Sequence, residues 1–119
     1  MKPMTERRQT FGASKRIKRR SDIAALFDEG RRLGDRTLTM FIRPNGVAGT
    51  RLGVGVSKRH GSAVKRNRIK RLCREAFRLQ YEQLPNGWDL MVVPRPGADL
   101  KLETIAKSLA KLAGRVASA

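Results

Sequence analysis

The apolar and polar positions of the chain follow a helical period most clearly between Ala63 and Arg78. Apolar residues recur there every three or four positions, which places them on one face of an α-helix. We assign to that face Ile69, Leu72, Cys73, Ala76, Phe77 and Leu84. Gly61 allows a turn before the helix, and Ser62 is its predicted N-cap. The rest of the chain is predicted to present this helix.

Two more helices are predicted on either side of it. The first contains Ile23 and Phe27, is capped by Ser21 and Asp22, and ends at Gly30. It serves either as a core helix or as part of a binding face. The second covers residues 101–116, where apolar residues again follow the helical period. This C-terminal helix is predicted to cover a sheet.

Alternating apolar and polar residues predict strands at 36–43 and 51–57, with residues 31–34 as a candidate edge strand. The turn residues Pro44, Asn45 and Gly46 predict a hairpin between the first two. Residues 88–93 are nearly all apolar, as is typical of an interior strand. The predicted fold is an α+β two-layer sandwich, in the order helix, two or three strands, helix, strand, helix. Its 119 residues make one domain, with residues 1–14 as a mobile basic arm.

The charge of the chain points to a polyanionic partner. Lys and Arg total 27 against 10 acidic residues, for a net charge of +17. No apolar run is long enough to span a membrane, and residues 1–20 lack the apolar centre of a signal peptide. We therefore expect a cytoplasmic protein with no membrane partner. The single cysteine, Cys73, excludes an internal disulfide and a cysteine-built zinc site.

The central helix carries most of this charge opposite its apolar face. Glu75 is the only acid between Ser57 and Arg78, so a merely solvated surface would leave the repulsion between like charges unrelieved. Backbone N–H groups at the start of the helix favour a bound phosphate. The predicted RNA contacts are Lys58, Arg59, Lys65, Arg66, Asn67, Arg68, Lys70, Arg71, Arg74 and Arg78.

A second candidate surface lies on the polar face of the strands. Gly53 and Gly55 at alternate positions indicate the close approach of a ligand or backbone, or crowding by a neighbouring helix. Single-stranded RNA is commonly held by cations beside an aromatic ring on which a base stacks. The residues predicted from this pattern to line such a channel are Lys15, Arg19, Phe27, Thr39, Phe41, Gly53, Gly55 and Ser57.

The sequence contains no candidate catalytic set. A protein nuclease needs a general base, an acid or a metal cage, and the acids here are scattered. His60, the only histidine, is either a phosphate contact or a bystander. We predict no catalytic residue, no metal ligand and no cofactor bound by the protein alone.

The run AVKRNRIKRLCREAF, from Ala63 to Phe77, resembles the signature helix of the bacterial ribonuclease P protein subunit, with its arginine-asparagine-arginine core at Arg66, Asn67 and Arg68. The preceding LGVGVSK resembles the strand before that helix, and the order of elements agrees from about Ser14 to Leu112. The resemblance implies a fold of the ribosomal protein S5 domain 2-like class, with a left-handed βαβ crossover.

The resemblance also implies a function. In this family the RNA subunit, with bound Mg²⁺, removes the 5′ leader of precursor tRNA, and the protein contacts both RNAs without needing a protein partner. The central helix then contacts the catalytic RNA, and Ile23, Phe27, Thr39 and Phe41 line the leader cleft. Relatives commonly have an aromatic residue at the position of Ile23 and often tyrosine at that of Phe41. The alternatives are a basic ribosomal or general RNA-binding protein, or a membrane-surface module.

Overall fold

Three helices and a four-stranded sheet make up the part of the chain that the computed structural model describes, residues 15–118. Their order is α1 (Arg20–Glu29), β1 (Arg31–Gly34), β2 (Leu38–Pro44), β3 (Arg51–Val54), α2 (Ala63–Leu79), β4 (Trp88–Pro94) and α3 (Leu102–Ser118). Short 3₁₀ turns at Lys58–His60 and Tyr81–Gln83 flank α2. The α+β class and the predicted order of elements are confirmed. The predicted arm at residues 1–14 lies outside the described residues.

The strands lie in the order β1-β2-β4-β3. β1 pairs with β2 and β2 with β4 antiparallel, whereas β3 pairs with β4 parallel. The candidate edge strand and the interior position of β4 are therefore confirmed. The predicted hairpin between β2 and β3 is wrong, because β4 lies between these two strands in the sheet. Residues 45–50 join β2 to β3, and α2 lies in the crossover from β3 to its parallel neighbour β4. β3 also ends at Val54, earlier than predicted.

An ion pair fixes β3 against β4. Arg51 lies opposite Asp89 in the parallel ladder, and its Nε and Nη2 donate to the two carboxylate oxygens at 2.8 and 2.7 Å. This hydrogen bonding raises the pKa of Arg51. Nη2 also lies 3.6 Å from the carboxylate of Asp22, which connects α1 to the same pair. Arg51 thus compensates the buried negative charge of Asp89, and this pair favours β4 as the strand next to β3.

The main core lies between one face of the sheet and the helices α2 and α3. Ile69, Cys73, Ala76 and Phe77 of α2 are buried in it, as the helical period predicts. Leu84 is buried in the same core but lies beyond the end of α2, so its assignment to the helix was wrong. The apolar face of α2 is therefore occupied, and its basic side faces outward.

The opposite face of the sheet carries α1 and a smaller core. Ile17, Leu26 and Met91 are buried there. α1 begins at Arg20 after Arg19, which makes no side-chain cap, so the predicted capping by Ser21 and Asp22 is wrong. The predicted end at Gly30 is confirmed, since its N–H donates to the carbonyl of Leu26. This arrangement sets α1 across the strands that carry the second candidate surface.

Candidate nucleic-acid interface

The start of α2 is built by two successive serine caps. Ser57 Oγ accepts from the N–H of Arg59 at 3.3 Å in the 3₁₀ turn, and Ser62 Oγ accepts from the N–H of Lys65 at 3.3 Å in α2. Between them Gly61 has a φ of 108°, a conformation that side chains rarely adopt. The predicted N-cap is confirmed. The exposed Lys58 and Arg59 are held beside the positive end of the helix.

His60 connects this loop to the end of β4. Its Nδ1 accepts from the backbone N–H of Ser57 at 3.0 Å, and its Nε2 lies 2.5 Å from the carbonyl oxygen of Pro94. The carbonyl can only accept, so Nε2 carries the proton in this arrangement. Both ring nitrogens are thus engaged within the protein, and His60 positions the loop.

A groove lined by four guanidinium groups runs along α2. Arg68, Arg71 and Arg74 extend from the helix, and Arg16 faces them from the segment before α1. The groove has a volume of about 500 Å³ and is also lined by Leu72 and Glu75. Burial lowers the pKa of Arg74, and the nearby charge of Arg16 lowers it further. This concentration of arginines suits phosphate groups, because the planar guanidinium can donate two hydrogen bonds to phosphate oxygens.

Arg16 is the groove residue that our sequence reasoning missed. It forms a parallel bridge with Leu52, and the N–H of Ile17 donates to the carbonyl of Leu52 at 3.1 Å, so this segment extends the sheet beyond β3. Lys15 and Ile17 are buried, whereas Arg16 and Lys18 are exposed. No sequence signal identifies this short strand, because Ile17 is the only apolar residue in the run KRIKRR and one apolar position does not define a strand period.

The predicted RNA contacts on α2 differ in their exposure to solvent and in their hydrogen bonds within the protein. Lys65, Asn67, Arg68 and Arg71 are exposed, while Arg66, Lys70, Arg74 and Arg78 are partly buried. Arg78 forms a bidentate pair with Glu75, with nitrogen to oxygen distances of 2.9 and 2.6 Å, which lowers the pKa of Glu75. The buried Nε of Arg66 has no acceptor among the described residues. Arg78 is therefore the member of the set most engaged within the protein.

The predicted channel residues Ile23, Phe27 and Phe41 come together on the opposite face of the sheet. The rings of Phe27 and Phe41 lie edge to face, with centroids 4.8 Å apart. Phe27 is 45% exposed, while Ile23 and Phe41 are partly buried against the smaller core. Arg19, at the start of α1, is exposed. An aromatic surface with cations at one end is the result.

The two glycines of this face make room for side chains of the protein. A Cβ at Gly53 would lie 2.5 Å from Cε of Met91 and 3.5 Å from Cδ1 of Ile17, and one at Gly55 would lie 3.3 Å from Val93. Of the two explanations, crowding applies, although by a neighbouring strand and not by a helix. The channel floor at Gly53 is filled by Met91.

Three further channel residues have other surroundings. The sequence places Thr39 on the open face of the channel, but its side chain is only 8% exposed and is not accessible to a base. Lys15 lies with Nζ 4.1 Å from the ring centroid of Tyr81, which packs against the main core, and its pKa is lowered by burial. Its predicted place on the face of Phe41 is wrong. Ser57 is exposed and caps the 3₁₀ turn.

Neither a metal cluster nor a membrane-spanning helix is found among the described residues. Between residues 15 and 118, no three His, Cys, Asp or Glu side chains are grouped closely enough to hold a metal ion. None of the helices in this range is long and apolar enough to cross a membrane.

A basic helix on one face of a mixed sheet and an aromatic surface on the other are typical of an α+β RNA-binding protein. The family model described as Ribonuclease P matches residues 11–117. The chain is 33% identical to the ribonuclease P protein component of Thermotoga maritima over 97 residues, which cover 82% of this chain and 83% of that protein. The chain therefore belongs to the ribonuclease P protein family, as the resemblance of its basic helix predicted.

Solved structures agree with this assignment. The RNase P protein from Thermotoga maritima superposes with a TM-score of 0.77 at 32% identity, covering 84% of this chain and 96% of that one. The RNase P protein of Staphylococcus aureus gives 0.75 at 31% identity, covering 86% and 94%. As a member of the family, the chain is a protein subunit of ribonuclease P with a role in tRNA processing, and it associates with the RNA of that enzyme.

Proposed function

We propose that the chain binds two RNAs in ribonuclease P, the RNA subunit through the groove along α2 and the 5′ leader of precursor tRNA through the face that carries Phe27. The observation on which the proposal rests is the convergence of Arg16, Arg68, Arg71 and Arg74 from two segments of the chain onto one groove. Phosphate contacts supply most of the affinity of proteins for RNA, so such a groove gives strong and salt-sensitive binding.

The groove is suited to a phosphate backbone. Glu75 is the one carboxylate among its lining residues, and it already accepts two hydrogen bonds from Arg78. Each guanidinium group of the groove can donate hydrogen bonds to phosphate oxygens. These groups hold the protein on its RNA through charge and geometry.

The face with Phe27 is suited to an unpaired strand. An exposed ring offers a surface on which any base can stack, which is the sequence-tolerant contact that a variable leader requires. Arg19, exposed just before α1, supplies charge for the leader phosphates. Precursor tRNA is thereby distinguished from mature tRNA, which has no leader.

In this proposal the RNA subunit performs the hydrolysis with its own Mg²⁺, and the protein supplies binding and orientation in the cytoplasm. Cations on the protein offset the repulsion between the two RNAs. Without the protein, more Mg²⁺ is needed to offset that repulsion. The protein then lowers the Mg²⁺ concentration that leader removal requires.

Reconstitution with a bacterial ribonuclease P RNA tests the proposal. At low Mg²⁺ the protein is expected to restore removal of the leader, and Arg68→Ala with Arg71→Ala is expected to weaken binding to the RNA subunit. Lys101→Ala with Lys107→Ala removes the same charge from exposed positions of the C-terminal region and serves as the control.

The same assay includes the protein alone, freed of RNA, which is expected to leave precursor tRNA intact. Cleavage by that sample would place catalysis in the protein and contradict the proposal. Equal losses in the helix and control variants would show that total charge matters and that the groove does not.

A further inference from the structure

A second group of cations lies where the β1–β2 turn meets the segment after β4 and the C-terminal half of α3. Arg36, Arg95, Lys111 and Arg115 line a cavity of about 680 Å³ together with Gly34, Asp35 and Thr37. None of these four residues belongs to α2 or to the predicted RNA contacts. We call this group the turn cluster.

The one carboxylate that lines the turn cluster, Asp35, is committed to the turn itself. Its Oδ1 accepts from the N–H groups of Thr37 and Leu38 at 2.8 and 2.9 Å, and its Oδ2 accepts from Ser108 Oγ at 2.6 Å. Among residues 15–118, none of the four cations of the cluster forms an ion pair with a carboxylate. Four positive groups therefore face one internally bonded carboxylate.

The fold holds these cations together although they come from three elements. Arg95 donates through Nε to the carbonyl of Asp35 at 2.5 Å, and its backbone N–H donates to the carbonyl of Thr37 at 2.9 Å. A Cβ at Gly34 would lie 3.1 Å from Nη2 of Arg95, so the glycine leaves space for the guanidinium. The negative end of α3 favours Arg115, but it does not account for Arg36 and Arg95, which come from other elements.

The turn cluster also adjoins the loop before α2, which carries the exposed cations Lys58 and Arg59. Pro94 accepts from His60, which belongs to the loop before α2, and Arg95 is the next residue after Pro94. The end of β4 therefore connects the cations at the start of α2 with those of the cluster. A phosphate backbone that follows one can continue to the other.

We propose that the turn cluster is a second binding site for RNA phosphates, separate from the groove along α2. This proposal rests on the proposed function for the presence of an RNA partner. Arginine suits the site because its planar fork can donate two parallel hydrogen bonds to one phosphate. Contacts on two sides of the protein fix its orientation on RNA more strictly than one groove can.

Paired double variants test the site. Arg36→Gln with Arg115→Gln removes two exposed cations of the cluster while leaving the hydrogen bonds of Asp35 intact. Lys101→Gln with Lys107→Gln removes the same charge from exposed positions beside it. Kd is measured over a range of salt concentrations, in one arm with bacterial ribonuclease P RNA and in the other with precursor tRNA added to the preformed complex.

The cluster variant is expected to bind on the order of tenfold more weakly in at least one arm, with a salt slope smaller by about 1.5 to 2 units. The lysine control is expected to match the unaltered protein. Arg36→Lys with Arg115→Lys should recover most of the affinity, because a point charge still attracts phosphate. A loss in the first arm assigns the phosphates to the RNA subunit, and a loss only in the second assigns them to the substrate.

Arg68→Ala with Arg71→Ala is measured in parallel. If this variant loses affinity while the cluster variant behaves like the lysine control in both arms, the turn cluster is not a site and the proposed function stands. If the cluster variant loses affinity and the α2 variant does not, the groove is misassigned and the turn cluster is retained. Circular dichroism and thermal midpoints establish that each variant is folded.

Discussion

Phe27 of α1 meets Phe41 of β2 edge to face, and the two rings have unequal roles. Their planes are inclined by 62°, and Phe27 is the more exposed partner. Phe41 packs against the smaller core beneath α1, so it supports the ring above it. A base that stacks on this face therefore meets Phe27 first.

Phe27→Ala is expected to weaken binding of precursor tRNA to the reconstituted enzyme by about 1 to 3 kcal/mol, the range for loss of one stacked base. Mature tRNA should bind almost as before, because it lacks the leader. Binding titrations with both RNAs measure the difference.

Leu79→Ala is the matched control, since Leu79 is 56% exposed at the end of α2, away from this face. Phe41→Ala should weaken leader binding and also lower the free energy of unfolding, because it removes packing from the smaller core. If Phe27→Ala lowers the affinity for precursor and mature tRNA equally, the leader does not bind to this face.

Arg16→Ala is expected to weaken binding to the RNA subunit and to reduce the salt slope by about one unit, the contribution of one phosphate contact. The reason is that Arg16 lines the groove opposite Arg68 and Arg71. Filter binding at several salt concentrations measures the slope. Lys18→Ala removes the same charge two residues further along and should leave the slope nearly unchanged. If both variants reduce the slope similarly, Arg16 contributes only to the overall positive charge and makes no specific phosphate contact.

His60→Ala is expected to lower the free energy of unfolding by about 1 to 2 kcal/mol, because two hydrogen bonds of the loop are lost. His60→Gln should recover part of this, since its amide oxygen can accept from the N–H of Ser57 as in a capping box. Urea unfolding monitors both variants. If the alanine variant keeps full stability but loses RNA affinity, the imidazole is an RNA contact after all.

The thiol of Cys73 is expected to resist alkylation in the folded protein. Burial raises its pKa to about 12, so at pH 8 the reactive thiolate is on the order of one part in ten thousand. In the unfolded chain about a quarter of the thiol is ionised at that pH, from an ordinary pKa near 8.5. Labelling followed by mass spectrometry, with and without denaturant, compares the two states. Rapid labelling of the native protein would show that α2 opens from the core.

Because of Asp35, the free energy of unfolding is expected to fall at acidic pH. Burial raises the pKa of its carboxyl, but hydrogen bonds from Ser108, Leu38 and Thr37 and the charge of Lys111 together hold the pKa below its usual value. The charged carboxylate therefore stabilises the fold above the unfolded pKa, near 3.9, and this contribution is lost as the pH falls through the lower folded pKa.

Asp35→Asn provides the comparison for this dependence. The difference in unfolding free energy between the unaltered protein and the variant should be largest near neutral pH and should shrink below about pH 4. Urea unfolding at several pH values measures it. A constant difference would mean that the hydrogen bonds of the turn do not depend on the charge.

The local elements could be predicted from the sequence because their signals are local. The period of α2, the cap at Ser62 and the apolar run of β4 each depend on neighbouring residues. The pairing of β3 was not predicted, because Asn45 and Gly46 indicate a turn but not the partner of the strand that follows. That partner is specified by Arg51 and Asp89, which are far apart in sequence.

In the candidate site too, the features that depend on neighbouring residues could be predicted, and those that depend on distant residues could not. The basic arc of α2 follows from helical geometry alone, whereas Arg16 reaches the groove only through pairing of its segment with Leu52. Gly53 could not be interpreted without Met91, whose side chain occupies the space above it. Long-range packing therefore decides which of the predicted surfaces remain open.

The central position of β4 has a consequence for synthesis of the chain. β2 and β3 are joined in the sheet only through residues 88–94, so a nascent chain that ends before Trp88 can form only the β1–β2 ladder and the bridge between Arg16 and Leu52. Pairing between distant segments is slow because loop closure must precede it. The aromatic face and the arginine groove, whose own residues all precede Trp88, therefore gain the support of β4 only after most of the chain has been translated.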